Sequence, residues 1–178
     1  MTRRSDDKSN DWVQAALDQF EGPLLLYASR LLRDPERARD VVQETFLKLC
    51  KADRVSLQDH LAEWLFTVCR NRALDVLRKE QRMIPLREEQ VRRCLSTDPS
   101  PIDLAERREL GIRVLELMES LPAGQREVLR LKFQNGFSYA EISRITGHSI
   151  SNVGYLIHAG IKTLRGNLFE GQAAEAHA

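Results

Sequence analysis

The 178-residue sequence is poor in residues that several protein classes require. It has three cysteines, and their odd number and wide spacing fit neither a disulfide framework nor a zinc motif (Cys50, Cys69 and Cys94). Aromatic residues make up only 6% of the chain, and long alternating runs of β-branched residues are missing. These absences favour an all-helical protein whose cysteines are buried or half-buried in a reducing compartment.

Signals for export, membrane insertion and catalysis are also missing. The N-terminal residues lack the apolar segment of a signal peptide, and no apolar run approaches the length of a membrane span. The acidic, histidine and cysteine residues form no metal-ligand or triad-like pattern, and no glycine-rich phosphate loop occurs. We therefore expect a soluble intracellular protein without membrane insertion, enzymatic activity, metal or cofactor.

Positive charge is concentrated in two parts of the chain, although the formal net charge is only +1. Six basic and two acidic residues lie between Leu121 and Arg165, and five basic and two acidic residues lie between Arg70 and Arg82. A balanced total charge can hide basic faces of this kind. We expect two basic surfaces that are distant along the sequence.

Apolar periodicity and turn residues divide the sequence into two helical regions. The stretch Asp98–Pro101 reads DPSP, which is typical of a linker. The length suits two small domains. The predicted organisation is a disordered N-terminus, a helical domain, a flexible linker, a second helical domain and a flexible tail, at residues 1–10, 11–83, 84–103, 104–166 and 167–178.

Three helices are predicted in the first domain. The first runs from Trp12 to Leu32, with Gly22-Pro23 as a candidate bend or break. Asp34 and Pro35 are a strong start signal for the second helix, as N-cap and first-turn residue. The remaining predicted elements are the second helix at Pro35–Cys50, a polar loop at Lys51–His60 and the third helix at Leu61–Gln81, with Trp64 in the core.

The second predicted helix carries two stripes of side chains. One has the spacing of a core face and consists of Ala38, Val41, Val42, Thr45 and Leu49. The other consists of Asp40, Gln43, Glu44 and Leu47. The pattern alone leaves two interpretations of the second stripe open, a solvated charged face or a surface for a partner.

A helix-turn-helix is predicted near the end of the second domain. Ser138 and Glu141 form a capping box, and Gly147 supplies the residue of positive φ that the tight turn needs. An ordinary helical hairpin has similar spacing, so DNA binding is one of two interpretations. The predicted core between the helices consists of Ile142, Ile145, Ile150, Val153 and Leu156.

The start of the second helix of this motif is rich in polar side chains that suit base edges in a major groove. These are Ser149, Ser151, Asn152 and Tyr155, with His158 one turn further on. Three basic residues are better suited to phosphates, which position a protein on DNA without specifying sequence (Arg144, Lys162 and Arg165).

Three stretches resemble the extracytoplasmic-function (ECF) sigma factors, subunits of bacterial RNA polymerase. LPAGQREVLRLKFQNGFSYAEISRITGHSISNVGYLIHAGIKTLR resembles their C-terminal domain, which binds the −35 promoter element. LLRDPERARDVVQETFLKL and LAEWLFTVCRNRALDVLRKEQR resemble their N-terminal domain. The resemblance covers most of residues 20–165 and implies a protein of the bacterial cytoplasm that directs RNA polymerase to promoters without catalysis of its own.

The resemblance also implies roles for particular residues. The surface for the β′ coiled coil of core polymerase would comprise Asp40, Val41, Gln43, Glu44 and Leu47. The −10 element would be read by Asn71 in a WLxxxxxN pattern, together with Arg54, Ser56, Asp59, Arg70, Arg72, Arg78, Lys79 and Arg82. The −35 element would be contacted by Ser138, Tyr139, Arg144, Ser149, Ser151, Asn152, Tyr155, His158, Lys162 and Arg165.

The resemblance also implies partners, and this chain departs from the family in the charge of its final helix. The implied partners are core polymerase, through its β′ coiled coil and β flap, and promoter DNA. Family members are often held inactive by an anti-sigma factor, which adds such a protein to the candidate partners. The final helix of this chain has only Lys162 and Arg165 as fixed positive charges, where many members have more. The alternative function is a stand-alone helix-turn-helix regulator.

Overall fold

The computed structural model describes the backbone of residues 3–83 and 114–175, and the side chains of residues 11–80 and 114–168. Every regular element in these ranges is a helix. The described residues form two compact units, an N-terminal one and a C-terminal one. The predicted all-α class with two helical domains is confirmed. The predicted linker at 84–103 lies outside the described residues.

Helix α1 runs from Arg3 to Leu32. It therefore begins well before Trp12 and includes most of the predicted disordered N-terminus; that segment is polar but has no proline or glycine to interrupt a helix. The helix also continues through Pro23, the candidate break. The residues that follow Pro23 explain this continuity, because Leu24, Tyr27 and Ala28 are buried and their packing outweighs the hydrogen bond that proline removes.

Helix α2 spans Pro35–Leu49. Asp34 caps it as predicted, since its Oδ1 atom accepts hydrogen bonds from the backbone N–H groups of Glu36 at 3.0 Å and Arg37 at 3.2 Å. The five residues of the predicted core stripe are all buried, and Phe46 is buried with them. Periodicity therefore identified the buried face of this helix correctly.

The predicted polar loop contains a short helix, α3, at Arg54–Leu57. Asp53 caps it by accepting hydrogen bonds from the backbone N–H groups of Val55 and Ser56, at 3.2 and 3.3 Å. Leu57 is buried, and its packing ties this turn to the core. Helix α4 then spans Leu61–Met83.

The core of the first unit lies among α1, α2 and α4. The rings of Tyr27 and Phe66 meet with their centroids 5.2 Å apart. Burial raises the pKa of the Cys69 thiol to about 12, so this cysteine is an inert core residue. Two predictions fail here: Cys50 is exposed, and Trp64 is half-buried rather than part of the core. Both lie at the margin of the apolar face, where spacing does not decide burial.

The second unit is built from helix α5, described over residues 114–119, and from α6 at Ala123–Phe133, α7 at Tyr139–Thr146 and α8 at Ile150–Glu175. Helix α8 extends past residue 166, the predicted end of the second domain, and includes most of the predicted flexible tail at 167–178. The tail contains no proline and ends in alanine-rich sequence, and alanine is the best helix former, so the helix continues in spite of Gly166 and Gly171.

Gly160 allows α8 to approach α6 closely. A Cβ atom at this position would lie 2.7 Å from Cδ1 of Leu129, which is itself buried. A side chain there cannot fit without displacing Leu129, because protein interiors are densely packed. This role could not be predicted from helix periodicity, because an interior glycine is recognisable in the sequence only as a weak helix former.

Candidate nucleic-acid interface

Local structure fixes both ends of α7. At the start of α7, the Ser138 N–H donates to Glu141 at 2.7 Å, and the Glu141 N–H donates to Ser138 Oγ at 3.3 Å, which is the predicted capping box. At its end, Gly147 has a φ of 76°, in the left-handed region. The Ser143 hydroxyl donates to the His148 carbonyl at 2.6 Å and so fastens the turn to α7.

The apolar contact between α7 and α8 differs from the prediction at its edges. Ile142, Ile145 and Val153 are buried, as expected. Ile150 is 55% exposed, and Ile157 occupies the core instead. The physical reason is position: Ile150 is the first residue of α8, so the turn leaves it beyond the end of the packed face.

The exposed face of α8 collects most of the residues predicted to contact the −35 element. These exposed residues are Ser151, Asn152, Tyr155, His158, Lys162 and Arg165. Ser149 is also exposed, but its hydroxyl oxygen accepts a hydrogen bond from the Asn152 N–H at 3.2 Å and caps the helix. The Ser138 hydroxyl oxygen likewise accepts a backbone hydrogen bond and caps the start of α7. Two of the predicted base contacts thus have capping roles.

Tyr139 lies between α6 and α8. The Lys132 ammonium is 5.5 Å from the centroid of its ring and donates a hydrogen bond to the Phe137 carbonyl at 3.2 Å. On the α8 side, the ring lies near Gly154, where a Cβ atom would be 3.6 Å from it. Tyr139 therefore packs within the unit, although part of its surface stays exposed.

Part of the positive charge predicted for this domain is neutralised internally. Arg126 donates to the Glu119 carboxylate at 2.6 Å, and Arg130 pairs with the same group. Burial pushes the pKa of Glu119 upward, but Arg130 and Arg126 outweigh it and hold the pKa below its ordinary value. The charge count from Leu121 to Arg165 missed Glu119 because this residue lies just outside the counted segment.

The second stripe of α2 is largely open to a partner. Asp40, Gln43 and Leu47 are exposed, and Leu47 has 55% of its surface accessible. Val41 is only 2% exposed, so the assignment of this residue to the polymerase surface is wrong. The core spacing of Val41 already indicated its burial.

Glu44 and Arg72 join α2 to α4. Arg72 Nη2 donates to Glu44 Oε1 at 2.7 Å, and this hydrogen bond raises the pKa of the guanidinium. A second ion pair, between Arg37 and Glu80, links the same two helices. Arg72 was predicted to hold a phosphate, but the structure engages its charge with a residue of the neighbouring helix. The sequence could not reveal this pair, since its members are 28 residues apart.

The remaining residues predicted to read the −10 element lie on α3, α4 and the turn between them. Arg54, Ser56, Asp59, Asn71, Arg78 and Lys79 are exposed, and Arg70 is half-buried. The Ser56 hydroxyl donates to the Asp53 carbonyl at 2.8 Å, and Arg78 pairs with Asp75 at 3.4 Å. The side chain of Arg82 lies outside the described residues.

No helix among the described residues is long and apolar enough to cross a membrane. In the same part of the chain, no group of histidine, cysteine and acidic side chains is placed to hold a metal ion.

Two family models match the chain, one on each helical unit. Sigma-70 region 2 matches residues 17–83, and Sigma-70, region 4 matches residues 112–164. The two matches define a two-domain promoter-recognition protein of the sigma-70 class. This pairing disfavours the stand-alone helix-turn-helix regulator.

Individual relatives identify the family within the sigma-70 class. The ECF RNA polymerase sigma factor EcfG of Rhodopseudomonas palustris (strain TIE-1) is 30% identical over 83% of this chain and 77% of the relative. The ECF RNA polymerase sigma factor SigL of Mycobacterium tuberculosis is 29% identical over 89% of both chains. The chain belongs to the ECF sigma factors and directs RNA polymerase to promoters.

Solved structures share the fold. The sigma factor RpoE, in complex with the anti-sigma factor NepR from Bartonella quintana, matches with a TM-score of 0.61 at 23% identity, over 87% of this chain and 95% of that chain. CnrH, in complex with the cytosolic domain of CnrY, matches with a TM-score of 0.58 at 24% identity, over 89% and 88%.

Proposed function

We propose that this sigma factor uses three separate surfaces, one for core polymerase and one for each promoter element. The observation that carries the proposal is the exposed polar face at the start of α8, following a fixed turn. Four side chains that suit base edges are exposed there: Ser151, Asn152, Tyr155 and His158. Lys162 and Arg165 follow on the same helix for phosphate contacts.

The polymerase surface comprises Asp40, Gln43 and Leu47 on α2, with Glu44 beside them. Exposure of Leu47 among polar residues supports binding of an external partner, which in this family is the β′ coiled coil. The β flap is the proposed contact for the second unit. Both contacts assign the chain to the cytoplasm, where polymerase works, and leave the chemistry of RNA synthesis to the polymerase.

The −10 surface is centred on Asn71. An exposed amide on α4 suits the edge of an unpaired base, and basic residues nearby suit the strand that carries it. Arg72 is excluded from this set because Glu44 engages it. The proposed contacts are Arg54, Ser56, Asp59, Arg70, Asn71, Arg78 and Lys79.

An anti-sigma factor is a further proposed partner. Two proteins of this fold are known in complexes: the sigma factor RpoE with the anti-sigma factor NepR, and CnrH with the cytosolic domain of CnrY. Co-purification from the native bacterium, with mass spectrometry of the bound proteins, tests this proposal. Recovery of core polymerase subunits alone would contradict it.

The decisive experiment is in vitro transcription by core polymerase and this chain on a library with randomised −10 and −35 segments. We expect transcripts from templates enriched in one pair of elements at a fixed spacing. Transcripts without enrichment at either segment would overturn the proposed DNA surfaces.

Matched variants assign each surface. Gln43→Ala with Leu47→Asp should abolish recovery of core polymerase in a pull-down, whereas Arg39→Ala, off the stripe of the same helix, should not. Asn71→Ala should relax one −10 position, with Glu21→Ala, at an exposed position of α1, as control. Asn152→Ala should relax one −35 position, with Thr163→Ala as control. Equal behaviour of a variant and its control would reject that surface.

A further inference from the structure

Ile150 is an exposed apolar side chain at the first position of α8. The core between α7 and α8 is closed by Val153 and Ile157 without it. An exposed isoleucine alone is ordinary on a protein surface. What distinguishes Ile150 is its place at the N-terminal end of the helix that carries the proposed −35 contacts.

The residues that adjoin Ile150 at the start of α8 are polar. Ser149, Ser151 and Asn152 adjoin it along the chain, and all three are exposed. The start of α8 thus offers hydroxyl and amide groups together with one apolar side chain, and base edges in a major groove offer polar atoms together with one kind of apolar group.

The side chain that packs on this part of α8, Tyr139, leaves Ile150 accessible to a base edge. The Tyr139 ring lies against Gly154, which is one helical turn further along the same face. Ile150 itself keeps 55% of its surface exposed. Because isoleucine is β-branched, its side chain has few conformations to lose when it is ordered against a ligand.

We propose that Ile150 is a specificity-determining residue that contacts the C5-methyl group of a thymine in the −35 element. This methyl is the apolar group that base edges present in the major groove, and residues at the start of a recognition helix reach those edges. The inference rests on the proposed function of α8. It assigns a role to a residue that apolar periodicity had placed in the core.

Deoxyuridine substitution tests the contact, since uracil lacks only the methyl group of thymine. Duplex promoters carrying the −35 element selected from the library are bound by the polymerase holoenzyme containing the full chain. Each thymine on either strand is replaced in turn by deoxyuridine. At one thymine, the wild type should lose about threefold to fivefold in affinity, as for one methyl group returned to water. The Ile150→Ser variant should bind both duplexes equally.

Two controls separate the contact from general effects. Ile150→Val keeps a branched apolar side chain and should retain discrimination between thymine and uracil. Phe133→Ser removes another exposed apolar side chain of this unit, 65% exposed at the end of α6, and should retain full discrimination. Because Ile150 is exposed, Ile150→Ser should unfold at the wild-type temperature.

Specific results would overturn the inference. These are equal wild-type affinity for every deoxyuridine duplex, discrimination retained by Ile150→Ser, or a selected −35 element without A·T pairs. A different result identifies failure of the proposed function itself: if replacement of the whole −35 element leaves wild-type affinity unchanged, α8 reads no sequence and both proposals fail.

Discussion

The two helices proposed to contact promoter DNA, α4 and α8, differ in how their side chains are engaged. On α4, Arg72 pairs with Glu44 of the neighbouring helix, and Arg78 pairs with Asp75 one turn away. On α8, the exposed face begins with neutral side chains, among them Asn152 and Tyr155. One helix thus presents charge that is partly neutralised within the protein, and the other presents uncharged groups.

A count of basic residues therefore does not measure a DNA-binding surface. Charge contacts phosphates and positions a protein, whereas neutral donors, acceptors and apolar groups read base edges. On that basis α8 can discriminate sequence with little positive charge, and its affinity comes mainly from being held by polymerase beside a second contact.

The largest expected effect comes from the site that sets α8 against α6. Gly160→Val should lower the free energy of unfolding by about 1–3 kcal/mol, because the new side chain collides with buried Leu129. Thermal unfolding followed by circular dichroism measures the loss. Gly166→Val is the matched control, since a Cβ there meets nothing within 4 Å. Adding Leu129→Ala to Gly160→Val should cost less than the sum of both changes, and strict additivity would contradict the steric explanation.

The next effect concerns the turn before α8. Ser143→Ala removes the hydrogen bond to the His148 carbonyl and should cost about 0.5–1.5 kcal/mol of stability. It should also weaken −35 preference relative to −10 preference in holoenzyme binding, because the start of α8 loses its support. Ser143→Thr keeps a hydroxyl and should restore both. If Ser143→Ala reduces both preferences equally, the turn does not position α8 specifically.

The basic residues of α4 should be of two kinds: those that contact DNA phosphates, such as Lys79, and those paired within the protein, such as Arg72. Lys79→Ala should reduce the slope of log affinity against log salt by about 1, as for one lost phosphate contact. Arg72→Ala should leave that slope unchanged and cost at most about 1 kcal/mol of stability, since its partner Glu44 is partly exposed. Holoenzyme binding to promoter duplexes over a series of salt concentrations gives both slopes. A reduced slope for Arg72→Ala would return this residue to the DNA surface.

The smallest effect is a pH dependence of the second unit. The pKa of Glu119 is lower in the folded protein than the ordinary value of 4.5, so its ion pairs contribute fully above that value. The contribution is lost as pH falls through the lowered folded pKa. Because Glu119 is more than half exposed, we expect less than about 1 kcal/mol. Glu119→Gln should lower stability at pH 7 and flatten its decline below pH 4.5; an unchanged acid limb would contradict this.

Local signals predicted much of the fold. The capping box of Ser138 and Glu141, the Asp34 cap and the Gly147 turn follow rules that span only a few residues, and the structure has all three. The buried stripe of α2 was also predictable, because a helix with one apolar face must bury it. The end of α8 was not, since Gly166 and Asn167 are residues typical of a helix end, yet α8 continues through them to Glu175.

The candidate surfaces were less predictable, because exposure and pairing depend on residues distant in sequence. Val41 had the spacing of a core residue, but its family resemblance placed it on the polymerase surface, and burial decided the matter. Ile150 has the apolar spacing of a core residue, but it is the first residue of α8 and lies outside the packed face, which begins at Val153. Whether such an apolar residue is buried or exposed depends on the neighbouring helix rather than on its spacing in the sequence.

The order of residues thus settled the all-helical class, the helix starts, the helix-turn-helix and the family, because propensity, capping and motif spacing act over short stretches of chain. Tertiary structure alone decided that Glu44 engages Arg72, that Glu119 neutralises Arg126 and Arg130, and that Gly160 admits Leu129. It also left Ile150 exposed at the start of α8. The physical reason is that pairing and burial are properties of space, and two side chains many residues apart interact only once the helices between them have packed.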